Sequence, residues 1–307
     1  MKAYIQPIIF ISAIILGALT SQAAPFSDVF VDISIIVLLF VVFYALTPLS
    51  VRVIAEHKKY FSLAWVLNFI VVPTLAFALV ALFLDPASLV AVGMIIYLVA
   101  PCTDWVLGFT KLARGDVHLN TALLPINLLS QIVLLPVYLW LFAQTAVPIV
   151  WGEFFETLLY WIVLPFIAAR ILSFFTRNRS WHVRVMDRID YLVVAAIGVL
   201  IFFLFNANTD VVLAHLDQLG IVFALILVFF VVMYALVYGV SKLFSLPLAQ
   251  EVSLSMTTAA RNAPLMLGIS MLLFPDQPLI HAVLVIGMLV EFPHLITLTA
   301  VLKRRAR

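Results

Sequence analysis

Charged residues are scarce in this sequence of 307 residues, and their scarcity excludes an ordinary soluble protein. Asp, Glu, Lys and Arg together account for 10% of the chain, whereas hydrophobic residues account for 65%. Soluble domains carry about 25% charged residues. The apolar residues lie in runs of about twenty, the length that crosses a hydrocarbon core of about 30 Å as an α-helix. These features predict an all-α membrane protein.

The chain has a single cysteine, and the signatures of several function classes are missing. Cys102 is the only cysteine, so the chain can form no intrachain disulfide. The sequence contains no Gly-rich phosphate loop, no metalloprotease histidine pair, no nucleic-acid-binding signature and no nucleophile–base–orienter set. We therefore expect neither an enzyme nor a metal or cofactor site, and no nucleic-acid partner.

Turn signals divide the chain into ten apolar spans, and the short connections between them leave no room for a soluble domain. The predicted spans are 5–24, 29–47, 61–84, 87–110, 119–142, 154–175, 190–206, 219–243, 248–274 and 279–302. They form two sets of five, in residues 1–150 and 151–307. Because five is an odd number, the second set enters the membrane from the opposite side, which predicts inverted repeats.

The basic residues predict the orientation of these spans. Of the 17 Lys and Arg residues, 16 lie at the two termini, in the even-to-odd loops or at the helix ends beside those loops, and the opposite loops carry none. The positive-inside rule then places both termini in the cytoplasm, with the spans in the inner (plasma) membrane. Residues 1–24 also resemble a secretory signal that ends in small residues. Retention of this segment as a helix and its cleavage are both left open.

Three charged residues lie well inside predicted spans, away from the span ends, where a charge costs about 3 kcal/mol or more. They are Asp104 in span four, Arg261 in span nine and Glu291 in span ten. Such residues normally face the bundle interior or a watery cavity and have a partner. One interpretation is an Arg261–Asp104 pair that holds helices together. The other is a set of residues that lines a transport path.

Proline lies close to each of these charges, at Pro101, Pro264 and Pro293. Proline removes a helical hydrogen bond and frees a carbonyl group. Broken backbone at membrane depth is tolerated where it is buried in protein or lines a cavity. Spans four and nine are each the fourth of their five, and interruptions at corresponding places in two repeats indicate a transporter's binding site. Ordinary proline kinks are the alternative.

Other polar residues in the spans either support a site or form hydrogen bonds between helices. The candidates are Asn68, Thr103, Asn127 and Asn262. We expect the hydroxyl groups of Thr257 and Thr258 to bond to their own helix. His294 is three residues after Glu291 and lies on the same helical face, where we expect it to pack against a neighbouring helix.

In these motifs the chain resembles the bile acid/arsenite transporter superfamily, and most closely its arsenite-efflux permeases. The resemblance covers nearly the whole chain. It is carried by residues 100–103, 112–116, 257–260 and 287–293, and by Asn68, Pro73, Asn127 and Asn262. It implies ten helices in two inverted five-helix repeats, with broken fourth and ninth helices that cross in a core domain beside a panel domain.

The resemblance also implies roles for two residues. The permeases need a cysteine in the fourth helix and a glutamate in the tenth, and these fall on Cys102 and Glu291. Soft ligands such as As(III) prefer cysteine sulfur. Burial disfavours the charged form of a carboxylate, which suits a proton carrier. The alternative for Cys102 is a small buried apolar residue.

Several positions depart from the pattern of the family. Pro264 stands where the permeases carry a second glutamate, and Asp104 and Trp105 replace small or apolar residues. In the sodium-coupled branch, two sodium ligands of the ninth helix align with Thr257 and Arg261. A guanidinium group at that position argues against a sodium site.

Two functions follow from this reasoning. The first is proton-coupled export of arsenite or a similar small oxyacid, in which Glu291 and Asp104 also carry the proton. Its substrate-binding residues are Cys102, Asp104, Arg261, Asn262 and Glu291, supported by Thr103, Asn68 and Asn127. The alternative is a symporter for an organic anion with Arg261 as the anion anchor. The expected partners are the substrate and the lipid bilayer, and the oligomeric state is left open.

The charge pattern makes a prediction about topology. Accessibility tags near residues 85, 148, 212 and 276 should react with an impermeant reagent from outside the cell, and tags near 55, 115, 180 and 245 should react only from the cytoplasm. Labelling of the tag near residue 180 from outside would contradict the predicted orientation.

Overall fold

The computed structural model describes residues 5–20, 28–46, 49–103, 105–142, 151–186 and 188–305, and these residues are helical almost throughout. The helices are α1 (Ile5–Thr20), α2 (Asp28–Ala45), α3 (Val51–Glu56), α4 (Lys58–Val66), α5 (Val72–Phe83), α6 (Leu89–Leu98), α7 (Val106–Leu112), α8 (Val117–Phe142), α9 (Trp151–Leu158), α10 (Leu164–Thr176), α11 (Ser180–Met186), α12 (Ile189–Ala214), α13 (Leu216–Leu243), α14 (Leu248–Ala259), α15 (Ala263–Leu273) and α16 (Pro278–Arg305). No strand occurs in the described part of the chain, so the predicted all-α class is confirmed.

Within the described ranges, six helical segments are long and apolar enough to cross a membrane. They are Lys58–Phe83, Val117–Phe142, Phe154–Thr176, Tyr191–Ala214, Leu216–Leu243 and Pro278–Arg305. Four shorter apolar helices, of 10–17 residues, lie in Ile8–Thr20, Ile33–Ala45, Leu89–Leu98 and Ala263–Leu273. A helix or a pair of helices therefore lies at each predicted span. Residues 21–24 of the first span, residue 47 of the second and residue 104 of the fourth fall outside the described residues.

Proline and a π-helical turn shape the helix from Lys58 to Phe83. A π-helical turn at Leu67–Val71 joins α4 to α5, and Pro73 follows it. Because Pro73 has no N–H group, it cannot donate to the carbonyl oxygen of Phe69, four residues earlier. The hydroxyl group of Tyr138 on α8 donates to that oxygen instead, at 2.7 Å. This bond gives the carbonyl of Phe69 a donor that proline cannot supply.

The chain folds into two compact units, and each draws on both halves of the sequence. The first comprises Met1–Leu46, Pro148–Leu216 and Pro264–Val285. Within it α1 packs along α12, and α2 packs against α10 and α12. These packing units are a different division from the predicted repeats 1–150 and 151–307, which remain a prediction.

The second unit comprises Thr47–Val147, Asp217–Ala263 and Ile286–Arg307, and a buried amide holds several of its helices together. The Oδ1 atom of Asn120 accepts from the hydroxyl of Tyr60 at 2.5 Å. Its Nδ2 atom donates to the hydroxyl of Thr110 at 2.8 Å and to the carbonyl of Ser253 at 3.1 Å. A single side chain on α8 thereby joins α4, α7 and α14.

The connection between α7 and α8 passes very close to α14. A Cβ atom added at Gly115 would lie 2.8 Å from Ser253 Oγ, 2.8 Å from Thr110 Cγ2 and 3.0 Å from Val252 Cγ1. Real Cβ atoms do not approach other heavy atoms this closely, so the absence of a side chain is what allows the contact.

This close approach makes a prediction about stability. Gly115→Ala should destabilise the protein by about 1–3 kcal/mol because it overpacks the contact with α14. The matched control is Gly108→Ala on α7, where an added Cβ meets nothing within 4 Å. That control should be neutral or slightly stabilising, since alanine favours a helix over glycine. Thermal unfolding in detergent measures both, and equal melting temperatures would contradict the assignment.

Candidate functional site

Two interruptions of the helical backbone meet in the second unit. α6 ends at Leu98 and α7 begins at Val106, whereas α14 ends at Ala259 and α15 begins at Ala263. The two non-helical segments run antiparallel at Pro101 and Arg261. Their predicted positions in spans four and nine are therefore confirmed. Pro293, where we also expected disruption, lies inside α16, which continues through it.

Backbone hydrogen bonds join the two interrupted segments. The N–H group of Cys102 donates to the carbonyl of Ala260 at 3.0 Å, and the N–H group of Asn262 donates to the carbonyl of Ala100 at 2.8 Å. Pro101, between the two bonding positions on its own segment, has no N–H group to satisfy. Each interruption thus satisfies backbone groups of the other, which is the condition for non-helical backbone at membrane depth.

The guanidinium group of Arg261 lies at the carboxyl ends of two helices. Its Nη1 atom donates to the carbonyl of Leu98 at 2.9 Å, the last residue of α6. Its Nη2 atom donates to the carbonyls of Thr258 at 2.6 Å and Thr257 at 3.2 Å, in the last turn of α14. These last-turn carbonyls have no partner within their helices, and they form the negative end of the helix dipole. Arg261 therefore caps both helices.

Arg261 is completely buried, and its guanidinium group also lies near a side-chain amide and an aromatic ring. The Nη2 atom is 3.4 Å from Asn68 Oδ1, and the guanidinium carbon lies 5.8 Å from the centroid of the Phe229 ring. The described residues contain two ion pairs, Arg52–Glu56 and Arg305–Glu251, and neither involves Arg261. The predicted partner Asp104 lies outside the described residues, so the Arg261–Asp104 pair stays a prediction.

Glu291 on α16 is brought to the crossing by three hydrogen bonds. Its Oε1 atom accepts from the backbone N–H of Arg261 at 3.0 Å and from Trp105 Nε1 at 2.7 Å. Its Oε2 atom is 3.3 Å from the hydroxyl of Tyr97 on α6. The carboxyl group is fully buried. Trp105 is also held by the ring of Phe292, whose centroid is 4.9 Å away.

Cys102 and Asn262 lie on the two crossing segments, and both are fully buried. The thiol of Cys102 interacts electrostatically with the side chains of Tyr97 and Arg261. The Nδ2 atom of Asn262 donates to the hydroxyl of Thr103 at 3.1 Å. The structure therefore brings Cys102, Thr103, Arg261, Asn262 and Glu291 together around one crossing.

The remaining candidates, Asn68 and Asn127, meet at a shared hydroxyl group. The Nδ2 atoms of Asn68 and Asn127 lie 3.5 Å and 3.3 Å from Thr257 Oγ1. The expectation that Thr257 bonds to its own helix is wrong, because its hydroxyl faces these two amides. The same expectation for Thr258 is confirmed, since its hydroxyl donates to the carbonyl of Leu254 at 2.9 Å. His294 packs as expected, with its ring stacked 4.1 Å from that of Phe230.

Comparison with known proteins identifies the family. Residues 32–215, more than half of the chain, match the profile of the Sodium Bile acid symporter family. The chain belongs to this family. The arsenical-resistance protein Acr3 of Corynebacterium glutamicum is 25% identical to it over 259 residues, which cover 80% of this chain and 70% of Acr3. This family member is therefore a multi-pass membrane transporter for a small ion or organic solute.

The profile of the symporter family covers only part of the site. It includes the segment with Cys102 but ends at residue 215, before Arg261 and Glu291. Sequence reasoning also missed two residues of the site, Tyr97 and Trp105. Tyr97 is one of many aromatic residues in apolar runs, and nothing local distinguishes it. Trp105 was noted as a departure from the related permeases, which is the one signal that could have suggested a role.

The capping role of Arg261 can be tested by stability. Arg261→Ala should lower stability by at least about 1–3 kcal/mol, because it leaves buried carbonyl groups without donors. Millimolar guanidinium ion should restore part of the loss by entering the vacated site. The control is Arg52→Ala, which removes an exposed ion pair worth about 0.2–1 kcal/mol and should show no rescue. Equal melting temperatures for the two variants would refute the capping role.

Proposed function

We propose that this protein exports arsenite, or a similar small oxyacid, in exchange for protons. The observation that carries the proposal is the position of Cys102 and Glu291 at one crossing. Cys102 bonds through its backbone to Ala260, and Glu291 accepts from the backbone of the adjacent Arg261. The segment that carries the soft thiol group and the buried carboxyl group are thereby both bonded to the backbone crossing. A change at either group could therefore move the crossing.

The chemistry of Cys102 suits a transported rather than a stored ligand. As(III) prefers thiolate sulfur to oxygen and nitrogen ligands. This chain has one cysteine, so it cannot form a three-sulfur cage around arsenic. A single sulfur bond gives selectivity and still permits release on the other side of the membrane. The name of the relative Acr3, an arsenical-resistance protein, supports the same substrate class.

The coupling step is assigned to Glu291. Its carboxyl group is fully buried and has hydrogen-bond partners on α6, on the segment before α7 and at the crossing. A proton on this group removes a buried charge, and its loss restores that charge. Because the backbone of Arg261 bonds to the carboxyl group, the protonation state of Glu291 acts directly on the crossing.

The proposed architecture has ten membrane-spanning helices in two inverted repeats, 1–150 and 151–307, with both termini in the cytoplasm and the protein in the inner (plasma) membrane. Helix pairs α6–α7 and α14–α15 are then the fourth helix of each repeat. Their pairing by backbone hydrogen bonds supports this arrangement, as does the distribution of Lys and Arg.

Symport of an organic anion anchored by Arg261 is the weaker alternative. An anion anchor needs guanidinium donors that are available to the substrate. Here Nη1 and Nη2 already donate to protein oxygen atoms, the side chain is fully buried, and only Nε has no partner among the described residues. The same contacts place a fixed positive charge where a coupling cation would be stabilised, so we propose that transport is independent of sodium.

Transport into proteoliposomes tests these proposals. With an acidic lumen, proton efflux should drive arsenite uptake, and a sodium gradient should add nothing. Cys102→Ser should lower uptake at least tenfold with unchanged melting temperature, because the oxygen ligand is hard. Glu291→Gln should abolish the response to the proton gradient, whereas the matched control Glu56→Gln, an exposed carboxylate, should not.

Three results of these assays would contradict the proposals. Wild-type uptake by the Cys102→Ser protein would remove the thiol from the mechanism. Uptake of taurocholate or a simple sulfonate in place of arsenite would favour the organic anion alternative. Strict dependence on sodium would refute the proposal that Arg261 takes the place of a coupling cation.

A further inference from the structure

The two oxygen atoms of the Glu291 carboxyl group have different partners. Oε1 accepts from Trp105 Nε1 at 2.7 Å and from the backbone N–H of Arg261 at 3.0 Å. An indole N–H and a backbone N–H can only donate. Oε2 faces the hydroxyl of Tyr97 at 3.3 Å, and a hydroxyl can both donate and accept. Among the described residues, Oε2 alone has a partner that could accept a hydrogen bond from a protonated carboxyl group.

The hydroxyl of Tyr97 has a second acceptor within reach. It is 3.0 Å from the carbonyl oxygen of Gly287, one helical turn before Glu291 on α16. A phenol has one hydrogen, so it can donate to only one of these two oxygen atoms well. The geometry therefore offers two arrangements of the same three groups, which differ in the direction of their hydrogen bonds.

We propose that Tyr97 directs the coupling proton to Oε2 of Glu291 and satisfies the carboxyl group in both of its protonation states. This inference rests on the proposed function, in which Glu291 carries the proton. In the ionised state, the hydroxyl of Tyr97 donates to Oε2. In the protonated state, Oε2–H donates to the oxygen of Tyr97, and the hydroxyl of Tyr97 turns to the carbonyl of Gly287.

The proton balance of this step is simple. The carboxylate gains one proton from the aqueous phase, and the phenol neither gains nor loses one. No backbone movement is needed to keep either state satisfied. A buried donor or acceptor without a partner costs free energy. Because the hydroxyl of Tyr97 can both donate and accept, neither the ionised nor the protonated state of Glu291 leaves Oε2 without a partner.

Gly287 makes this arrangement possible. A Cβ atom added there would lie 2.5–2.7 Å from three carbon atoms of the Tyr97 ring. Any side chain at residue 287 would push the ring away from α16 and from Glu291. Tyr97 is therefore a positioning residue whose place depends on a glycine of the same helix that carries the carboxyl group.

Among the described residues, the other titratable groups near Glu291 do not offer this exchange. The guanidinium group of Arg261 is directed to the helix carboxyl ends, and the ring of His294 stacks on Phe230. Cys102 lies on the crossing segment, where it interacts with Tyr97 and Arg261. Asp104 is outside the described residues.

Infrared difference spectroscopy of the protein in liposomes, without substrate, tests the inference. Acidification should produce a carboxylic C=O band that is absent in Glu291→Gln. In Tyr97→Phe this band should move to higher frequency, because the acid hydrogen loses its acceptor. Gly287→Ala should shift the band in the same direction. The matched control is Tyr138→Phe, which loses a buried hydroxyl bonded to the carbonyl of Phe69 and should leave the band in place.

A second measurement needs no substitution. With isotope-labelled tyrosine in the wild-type chain, a phenol C–O band should change together with the carboxyl band as the pH falls, since the hydroxyl of Tyr97 becomes an acceptor as well as a donor. Labelled spectra in which no tyrosine band follows the carboxyl band would refute the inference, even if the Tyr97→Phe protein does not fold.

The outcomes separate this inference from the proposed function. If arsenite is not transported but the Glu291 band depends on Tyr97, the substrate is wrong and the inference stands. If arsenite uptake depends on Glu291 but the band is the same in Tyr97→Phe and wild type, the inference fails alone. In the transport assay, Tyr97→Phe should reduce proton-driven uptake at least tenfold, and Tyr138→Phe should not.

Discussion

The backbone crossing between the two interrupted helices is the constraint on which the rest of the site depends. Non-helical peptide groups inside a membrane have no water to bond to, so each must find a partner in the protein. Here the segments around Pro101 and Arg261 bond to each other through Cys102, Ala260, Asn262 and Ala100. Cys102, Asn262 and the carboxyl group of Glu291 are held relative to this pairing, and a change in it would move the thiol, the amide and the carboxyl partner together.

The crossing also creates an electrostatic demand that Arg261 meets. Two helices that stop inside the protein present unbonded carbonyl groups and the negative ends of their dipoles. In this chain the cation at that place is covalently attached, and it is held by main-chain oxygen atoms rather than by a carboxylate among the described residues. A tethered cation cannot dissociate, so it provides the stabilisation of a bound ion without leaving its place. In the function we propose, coupling then falls to a group that can change its charge, Glu291.

The sequence predicted much of this site because the relevant signals are local. A charge within an apolar run, such as Arg261 or Glu291, stands out at once, and so does a proline beside it. The interruptions in α6–α7 and α14–α15 followed from that pattern. A proline beside a charge does not always predict a break, since Pro293 follows Glu291 and α16 continues through it. Local reasoning also predicted the wrong hydrogen-bond partner for the hydroxyl of Thr257, because its partners Asn68 and Asn127 lie on distant parts of the chain.

The long apolar runs and the scarcity of charge by themselves determined that this is a helical membrane protein and where its helices lie, because a helix that crosses a bilayer needs about twenty apolar residues. Only the tertiary structure decided which donors meet Glu291. Tyr97 and Trp105 are nearly two hundred residues from it, at separations of 194 and 186. Neither differs locally from the other aromatic residues of the spans. The position of Tyr97 depends on a close approach of α6 to α16 at Gly287, and such a contact has no periodicity or composition that a sequence could display.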